Sequence, residues 1–246
     1  MLIAQITDIH AASDNDHLNR FERVLSWLRP LQPDILVLTG DLTDGDWPEG
    51  YAQIAAMLNA QSYPALVLPG NTDNRDLMRH VWGKVHWVQD AAEDAMHFIH
   101  YAHDMNLIGL DTSVSEESYG DVTGHLEWLE KKLAEAGEAP AMLFLHHHAF
   151  TSGIPTLDET MCRGLSRLET VIRRSPTRLL AIASGHVHRP VVGTFAGIPA
   201  SICGSVCPAN PLWLGAYTVP AAHEPPMLML HRYECKTLSS HHVCVA

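Results

Sequence analysis

Five places in the chain set groups that bind metals or carry protons directly behind short apolar runs. Ser184-Gly185-His186-Val187-His188 closes the run Leu179 to Ala183, and Thr7-Asp8-Ile9-His10 closes Leu2 to Ile6. Gly40-Asp41 follows Ile35 to Thr39, Gly70-Asn71 follows Ala65 to Leu68, and His146-His147-His148 follows Ala141 to Leu145. Residues i and i+2 of extended backbone point to the same side. His186 with His188, and Asp8 with His10, can therefore each face one cavity as a pair. Neutral imidazoles and carboxylates are metal ligands by chemical type. Asp41 has two oxygens, which suits it to bridging two cations, and Gly40 lets the backbone pass close to them. Each motif alone also has a plain structural reading: a His pair at a strand end as a hydrogen-bonded turn, Asp8 as a turn residue or helix cap. Chance is a poor account of all five, because ligands of open α/β sheets collect outside the carboxyl ends of the strands.

The elements that must position these residues alternate. Leu18, Phe21, Val24, Leu25 and Leu28 recur at helical spacing, and Pro30 and Pro33 end that helix. Further helices are expected from about Tyr51 to Asn59, through Leu126, Trp128, Leu129 and Leu133, and from about Arg163 to Arg174. Thr151 to Asp158 reads as a loop. Ala95 to Tyr101 and Asn106 to Leu110 read as strands. Pro190 to Phe195 and Ile198 to Cys203 form a hairpin around Ala196-Gly197, and Gly215 to Val219, Met227 to Glu234 and a last strand ending near Val245 follow. Alternating β-α units with a β-rich portion from about residue 190 imply an α/β protein of two packed sheets flanked by helices, in one domain spanning 1–246.

Composition narrows the function. Sixteen Lys and Arg against 28 Asp and Glu give a formal charge of -12, which disfavours bulk nucleic acid as a partner. Histidine is over-represented, with 17 residues, many beside Asp, Gly or Asn, as metal chemistry requires. The five cysteines are odd in number and hold no CxxC pair, so neither a disulfide framework nor a structural zinc knuckle is indicated. The N-terminus lacks the basic flank of a signal peptide, and no apolar run is long enough to span a bilayer, so a cytoplasmic protein without membrane partners is expected. Pro208, Pro211 and Trp213 in the apolar tail allow for a homo-oligomer.

As an ordered set, Asp8-Ile9-His10, Gly40-Asp41, Gly70-Asn71-Thr72-Asp73, His146 and Gly185-His186-Val187-His188 resemble the signature of the calcineurin-like metallophosphoesterases. Leu110-Asp111-Thr112-Ser113 and Gly124-His125-Leu126-Glu127-Trp128-Leu129 look most like the branch of cyclic-nucleotide phosphodiesterases and glycerophosphodiesterases. The resemblance implies a four-layer α-β-β-α sandwich of two mixed sheets. It implies one metal at Asp8, His10 and His188, a second at Asn71, His146 and His186, and Asp41 bridging, with His147 as the fallback for His146. Mixed nitrogen and oxygen ligation suits Fe, Mn or Zn. Two cations about 3.5 to 4 Å apart would hold a bridging hydroxide and clamp a phosphate for in-line attack. The implied reaction is hydrolysis of a small phosphodiester, a cyclic nucleotide or a glycerophosphodiester. Phosphomonoester hydrolysis and a non-catalytic scaffold are the alternatives.

One position departs from the family. Thr72 stands where the signature has His, and a hydroxyl with no pKa near neutral cannot protonate a leaving alkoxide. The resemblance then favours a diester, or another imidazole, His148, His125 or His17, takes over. The expected catalytic set is therefore Asp41, Asn71 and His148, and the expected substrate contacts are Asn71, Arg75 and His148.

Overall fold

The computed structural model describes residues 1–91, 95–102, 105–215 and 218–246. Its first strands and helices are β1 (Leu2–Ile6), α1 (His17–Leu28), β2 (Ile35–Thr39), α2 (Pro48–Asn59), β3 (Ala65–Leu68) and α3 (Arg75–Trp82). Then come β4 (Phe98–Ala102), β5 (Met105–Gly109), α4 (Leu126–Ala136), β6 (Ala141–Phe144), the one-turn α5 (Pro155–Asp158), α6 (Leu165–Arg174) and β7 (Leu179–Ser184). The remaining strands are β8 (Val191–Phe195), β9 (Ile198–Ile202), β10 (Met227–Glu234) and β11 (Thr237–Cys244).

The strands form two mixed sheets, ordered β11-β10-β1-β2-β3 and β4-β5-β6-β7-β9-β8. Alternation along the strands builds three apolar layers. Ile3, Ile35 and Val37 of the first sheet meet Leu107, Met142 and Phe144 of the second between the sheets. Ala4, Leu36 and Leu38, their neighbours in sequence, point the other way onto Phe21, Leu25, Tyr51 and Ile54 of α1 and α2. On the far side, Ile108, Leu143 and Ile182 pack on Leu129 and Leu133 of α4 and Leu168 of α6. The result is the expected α-β-β-α sandwich. The strands read as buried because both faces are covered.

Four details differ from the sequence reading. Helix α3 is an additional element, capped by the Asn74 side chain accepting from Leu77 N–H at 3.0 Å. β4 begins at Phe98 rather than Ala95. The loop expected over Thr151 to Asp158 contains α5. The strand expected over Gly215 to Val219 is absent at its described positions 215, 218 and 219, whose backbone joins neither sheet; Ala216 and Tyr217 lie outside the described residues. The hairpin turn at Ala196 and Gly197 has φ of 54° and 81°, the left-handed pair that two-residue hairpins prefer. Among the described residues no helix is long and apolar enough to cross a membrane.

Candidate metal centre

β1, β2, β3, β6 and β7 all run parallel to their neighbours in this set and present their carboxyl ends at one edge. The chain then turns so sharply that Asp8, His10, Asp41, His186 and His188 take φ values of 53°, 48°, 54°, 73° and 58°. That left-handed conformation costs roughly 1–2 kcal/mol per L-residue, less for Asp than for bulkier side chains. Five such residues at one edge are strain concentrated where function needs it. Backbone bonds stitch the turns together: Asp8 N–H donates to Gly40 O at 3.0 Å, His10 N–H to Asp41 O at 3.0 Å, and Gly185 N–H to His146 O at 2.9 Å. Gly40 (φ 95°) is needed because a Cβ there would lie 2.5 Å from Gly70 N and 2.7 Å from His146 Nδ1.

The side chains converge in two groups joined by one carboxylate. His10 Nε2 lies 3.0 Å from His188 Nε2 and 3.3 Å from Asp41 Oδ2. His188 Nε2 lies 3.4 Å from Asp8 Oδ1. On the other side of Asp41, His146 Nε2 sits 3.4 Å from the same Oδ2 and 3.2 Å from Asn71 Oδ1. The ring nitrogens of His146, His147 and His186 gather within 4.8 Å. All seven residues expected as ligands are thus brought together.

Each ring is held by its other nitrogen. His10 Nδ1 donates to Asp44 Oδ1 at 2.5 Å and His146 Nδ1 to Thr39 O at 2.6 Å. His188 Nδ1 contacts Cys207 Sγ at 3.3 Å, and His186 Nε2 pairs with Thr160 Oγ1 at 2.7 Å. Spacing gave no sign of these four partners, three from loops and one, Thr39, from the end of β2. Asp8 Oδ2 accepts from Thr7 Oγ1 and His186 N–H at 2.7 and 2.9 Å. Its other oxygen, Oδ1, is buried and accepts no hydrogen bond among the described residues, with His188 Nε2 beside it at 3.4 Å. With Nδ1 protons committed outward, the Nε2 lone pairs of His10, His146 and His188 point at carboxylate and carbonyl oxygens. With the rings neutral, an array of acceptors facing acceptors around a buried carboxylate oxygen that accepts no hydrogen bond is a donor set that suits a cation. The residues present fit a pair of metal ions.

The electrostatics express the same deficit. Burial opposes the charged Asp41 carboxylate, but the charges and hydrogen bonds of His146 and His10 outweigh it and hold the group well below the usual carboxylate range. Burial likewise opposes the His10 cation, yet Asp41 and Asp44 push its pKa up to about 12; Asp41 raises His146 to about 9 in the same way. The carboxylates thus favour positive charge at these nitrogens, whether a second ring proton or a cation supplies it.

Beside Asn71 a cavity of about 860 Å³ opens, lined among others by Thr72, Asn74, Arg75, Ser113 and His125. Arg75 donates to Asp111 Oδ2 and Ser113 Oγ, both at 2.6 Å, forming part of the cavity wall. Although burial raises the Asp111 carboxyl, Arg75 outweighs it and holds the group at about 2. Asp73 accepts from Gly70 N–H, Leu42 N–H and the Tyr51 hydroxyl at 2.8, 2.9 and 3.0 Å, which makes it a tie between loops. Thr72 donates its hydroxyl to Thr43 O at 3.0 Å and its N–H to Asp41 Oδ1 at 2.8 Å. His148, expected at the substrate, is instead fully buried, with Nε2 3.4 Å from Asp158 Oδ1, where it anchors the loop at α5. His147, the fallback ligand, is also buried, and its Nδ1 is taken by Thr112 Oγ1 at 2.8 Å. His17 Nδ1 is tied to His10 O at 2.7 Å, which leaves His125 as the imidazole on the cavity wall.

Two donor sets that meet at one carboxylate therefore stand at this edge of the sandwich. Residues 1–190 match the family model of the calcineurin-like phosphoesterases, and the chain belongs to that family. A probable cyclic nucleotide phosphodiesterase of Rhodococcus erythropolis is 31% identical, over 83% of this chain and 70% of that one. A probable glycerophosphodiester phosphodiesterase of Arcobacter nitrofigilis is 28% identical over 98% of this chain and 92% of its own length. In fold, a dimetal phosphatase from Danio rerio superposes with a TM-score of 0.77 at 12% identity, over 100% of this chain and 99% of that chain.

Proposed function

We propose that the protein hydrolyses a small phosphodiester, a cyclic nucleotide or a glycerophosphodiester, at two metal ions. Asp8, His10 and His188 hold one ion, Asn71, His146 and His186 the other, and Asp41 lies between them. The observation that carries this reading is Asp41 Oδ2 standing 3.3 Å from His10 Nε2 and 3.4 Å from His146 Nε2, the one oxygen common to both clusters. When bound, the ions, Fe, Mn or Zn by donor type, supply the Lewis acidity that makes water a nucleophile near neutral pH and neutralises charge on the phosphate. Asn71 brings a neutral carbonyl, which limits the negative charge accumulated against an anionic substrate. Asp41 and Asn71 are the catalytic pair, and Asn71 and the Arg75 wall contact the substrate in the adjoining cavity.

The diester preference is supported by Thr72 and by the names of the relatives. With its hydroxyl committed to Thr43 O, Thr72 supplies no acid for a poor leaving group. Of the imidazoles weighed as the acid, His125 lines the same cavity, which supports it as the donor to the departing alcohol. A single domain over residues 1–246 is supported by β10 and β11 extending the first sheet beside β1. Its five free cysteines accord with a reducing, cytoplasmic setting. Turnover of bis(p-nitrophenyl) phosphate, p-nitrophenyl phosphate, cyclic AMP and glycerophosphocholine by metal-loaded protein tests the reading. Diesters are expected to exceed the monoester in kcat/KM, and a reversed order would replace the proposal with monoester hydrolysis.

A further inference from the structure

The three other candidate ligand rings are oriented by a carbonyl, a carboxylate and a hydroxyl; His188 is oriented by sulfur. We propose that the Cys207 thiol is a positioning residue for the metal centre, fixing the tautomer and ring plane of His188. The inference rests on His188 being a metal ligand.

The geometry runs outward from the ring. His188 Nε2 faces Asp8 Oδ1 and His10 Nε2, so the atom available to a cation is Nε2 and the ring proton belongs on Nδ1. That proton points at Cys207 Sγ, 3.3 Å away, the one partner of Nδ1 among the described residues. The thiol in turn reaches Pro208 O at 3.5 Å, so its hydrogen is directed away from the ring and its lone pairs toward it. A thiol sulfur is a weak acceptor, yet in a dry site it decides which nitrogen carries the proton. Cys207 is 3% exposed, so the contact between sulfur and ring is shielded from water.

The loop carrying the sulfur is itself tied to the ligands. Cys207 N–H donates to Asp8 O at 2.9 Å, and Ser205 Oγ bridges His188 O and Cys207 O at 3.3 and 2.9 Å. Arg20 clamps the same segment through Val206 O and Cys207 O, at 2.5 and 3.3 Å. Asp8, His188 and the sulfur therefore move as one body. Sγ meets the ring at Nδ1 and Asp8 Oδ1 meets it at Nε2, so Cys207 orients the ligand from the side away from that carboxylate. Donor atoms of Cys207, His10 and His188 also lie within 4.8 Å of one another, so sulfur ligation is the competing arrangement that the cobalt spectra below decide.

Partners of this kind typically contribute about 10- to 100-fold to metal affinity. The test is competition for Zn²⁺ between a chromophoric chelator and metal-stripped wild type, Cys207→Ser and Cys207→Val, with cobalt absorption spectra of all three. Wild type is expected to bind two equivalents. Cys207→Val, which fills the space but accepts no hydrogen bond, is expected to weaken one of them about 10- to 100-fold. Cys207→Ser, whose hydroxyl accepts the Nδ1 proton, is expected to recover most of that loss. Melting temperatures in excess chelator report folding separately from metal. Wild-type affinity in Cys207→Val would overturn the proposal, as would a sulfur-to-cobalt charge-transfer band in the wild type, which would make Cys207 a ligand. A wild type that binds no metal would instead remove the dinuclear reading itself, and this inference with it.

Discussion

Asp41 stands at the join of the two clusters, and its replacement separates a shared centre from two independent sites. Asp41→Ala is expected to lose at least one metal equivalent, measured by elemental analysis, together with about 10³-fold or more of kcat/KM, the equivalent of several kcal/mol of transition-state stabilisation. Full metal content with retained turnover would refute sharing. Thr72 tests a different property. Its side chain donates to Thr43 O and touches neither cluster, so Thr72→His is expected to leave metal stoichiometry unchanged and to raise monoester turnover relative to diester turnover. At this scale the seven converging residues are legible through the order of five motifs that resemble the family signature; i, i+2 spacing pairs only Asp8 with His10 and His186 with His188, and these four stand in left-handed turns past the strand ends, not in extended backbone. The outer partners Asp44, Thr160 and Cys207 are not legible. Nothing local links Cys207 to His188; only the return of the loop after β9 brings them together. Spacing does not separate the roles of three consecutive imidazoles at one strand end: all are fully buried, and only their contacts distinguish His146, beside Asp41, from His148, beside Asp158 and stacked on His186.

The strand-end turns carry the elements' contribution to the site. Gly40→Ala places a methyl group 2.5 Å from Gly70 N in a backbone with φ of 95°. It is expected to lower stability by about 2–4 kcal/mol by urea unfolding and to weaken metal binding, since His146 Nδ1 is the next atom met. Gly45 has φ of 67° but nothing within 4 Å of an added methyl, so Gly45→Ala is expected to lose only about 1 kcal/mol. Equal losses would show that conformational strain, rather than close approach, governs Gly40. The strands feeding these turns are readable because β2, β6 and most of β7 are continuously apolar, as both their faces are covered. Helix α3 is hard to read because it is short and polar, with Met78 its buried residue and an Asn74 cap as its main local signal. At its described positions 215, 218 and 219 the strand expected there fails in the opposite sense. Strand propensity without a neighbouring strand to bond gives no strand.

For the molecule as a whole, the layers follow from pattern but the strand order does not. β10 lies beside β1, and β9 separates β7 from β8, through pairings of long sequence separation that no local pattern encodes. One of these pairings buries an imidazole. His231 of β10 is fully buried, with Nε2 3.1 Å from Gln5 Oε1 and Nδ1 2.7 Å from Ser240 Oγ. Burial, with His241 nearby, lowers its pKa from 6.5 to about 3. The unfolded chain takes up this proton near pH 6.5 and the folded chain only near 3, so the protein loses stability as pH falls through that window. In excess chelator between pH 7 and 5, wild type is expected to lose about 2 kcal/mol more than His231→Gln by urea unfolding. Parallel curves would show that His231 is not buried neutral. The dinuclear claim is tested most directly by titrating metal-stripped protein with Mn²⁺ while following bound metal and bis(p-nitrophenyl) phosphate hydrolysis together. Saturation at two equivalents is expected, with turnover rising as the second is bound. Hydrolysis undiminished in excess chelator, or complete after one equivalent, would contradict a shared pair of ions.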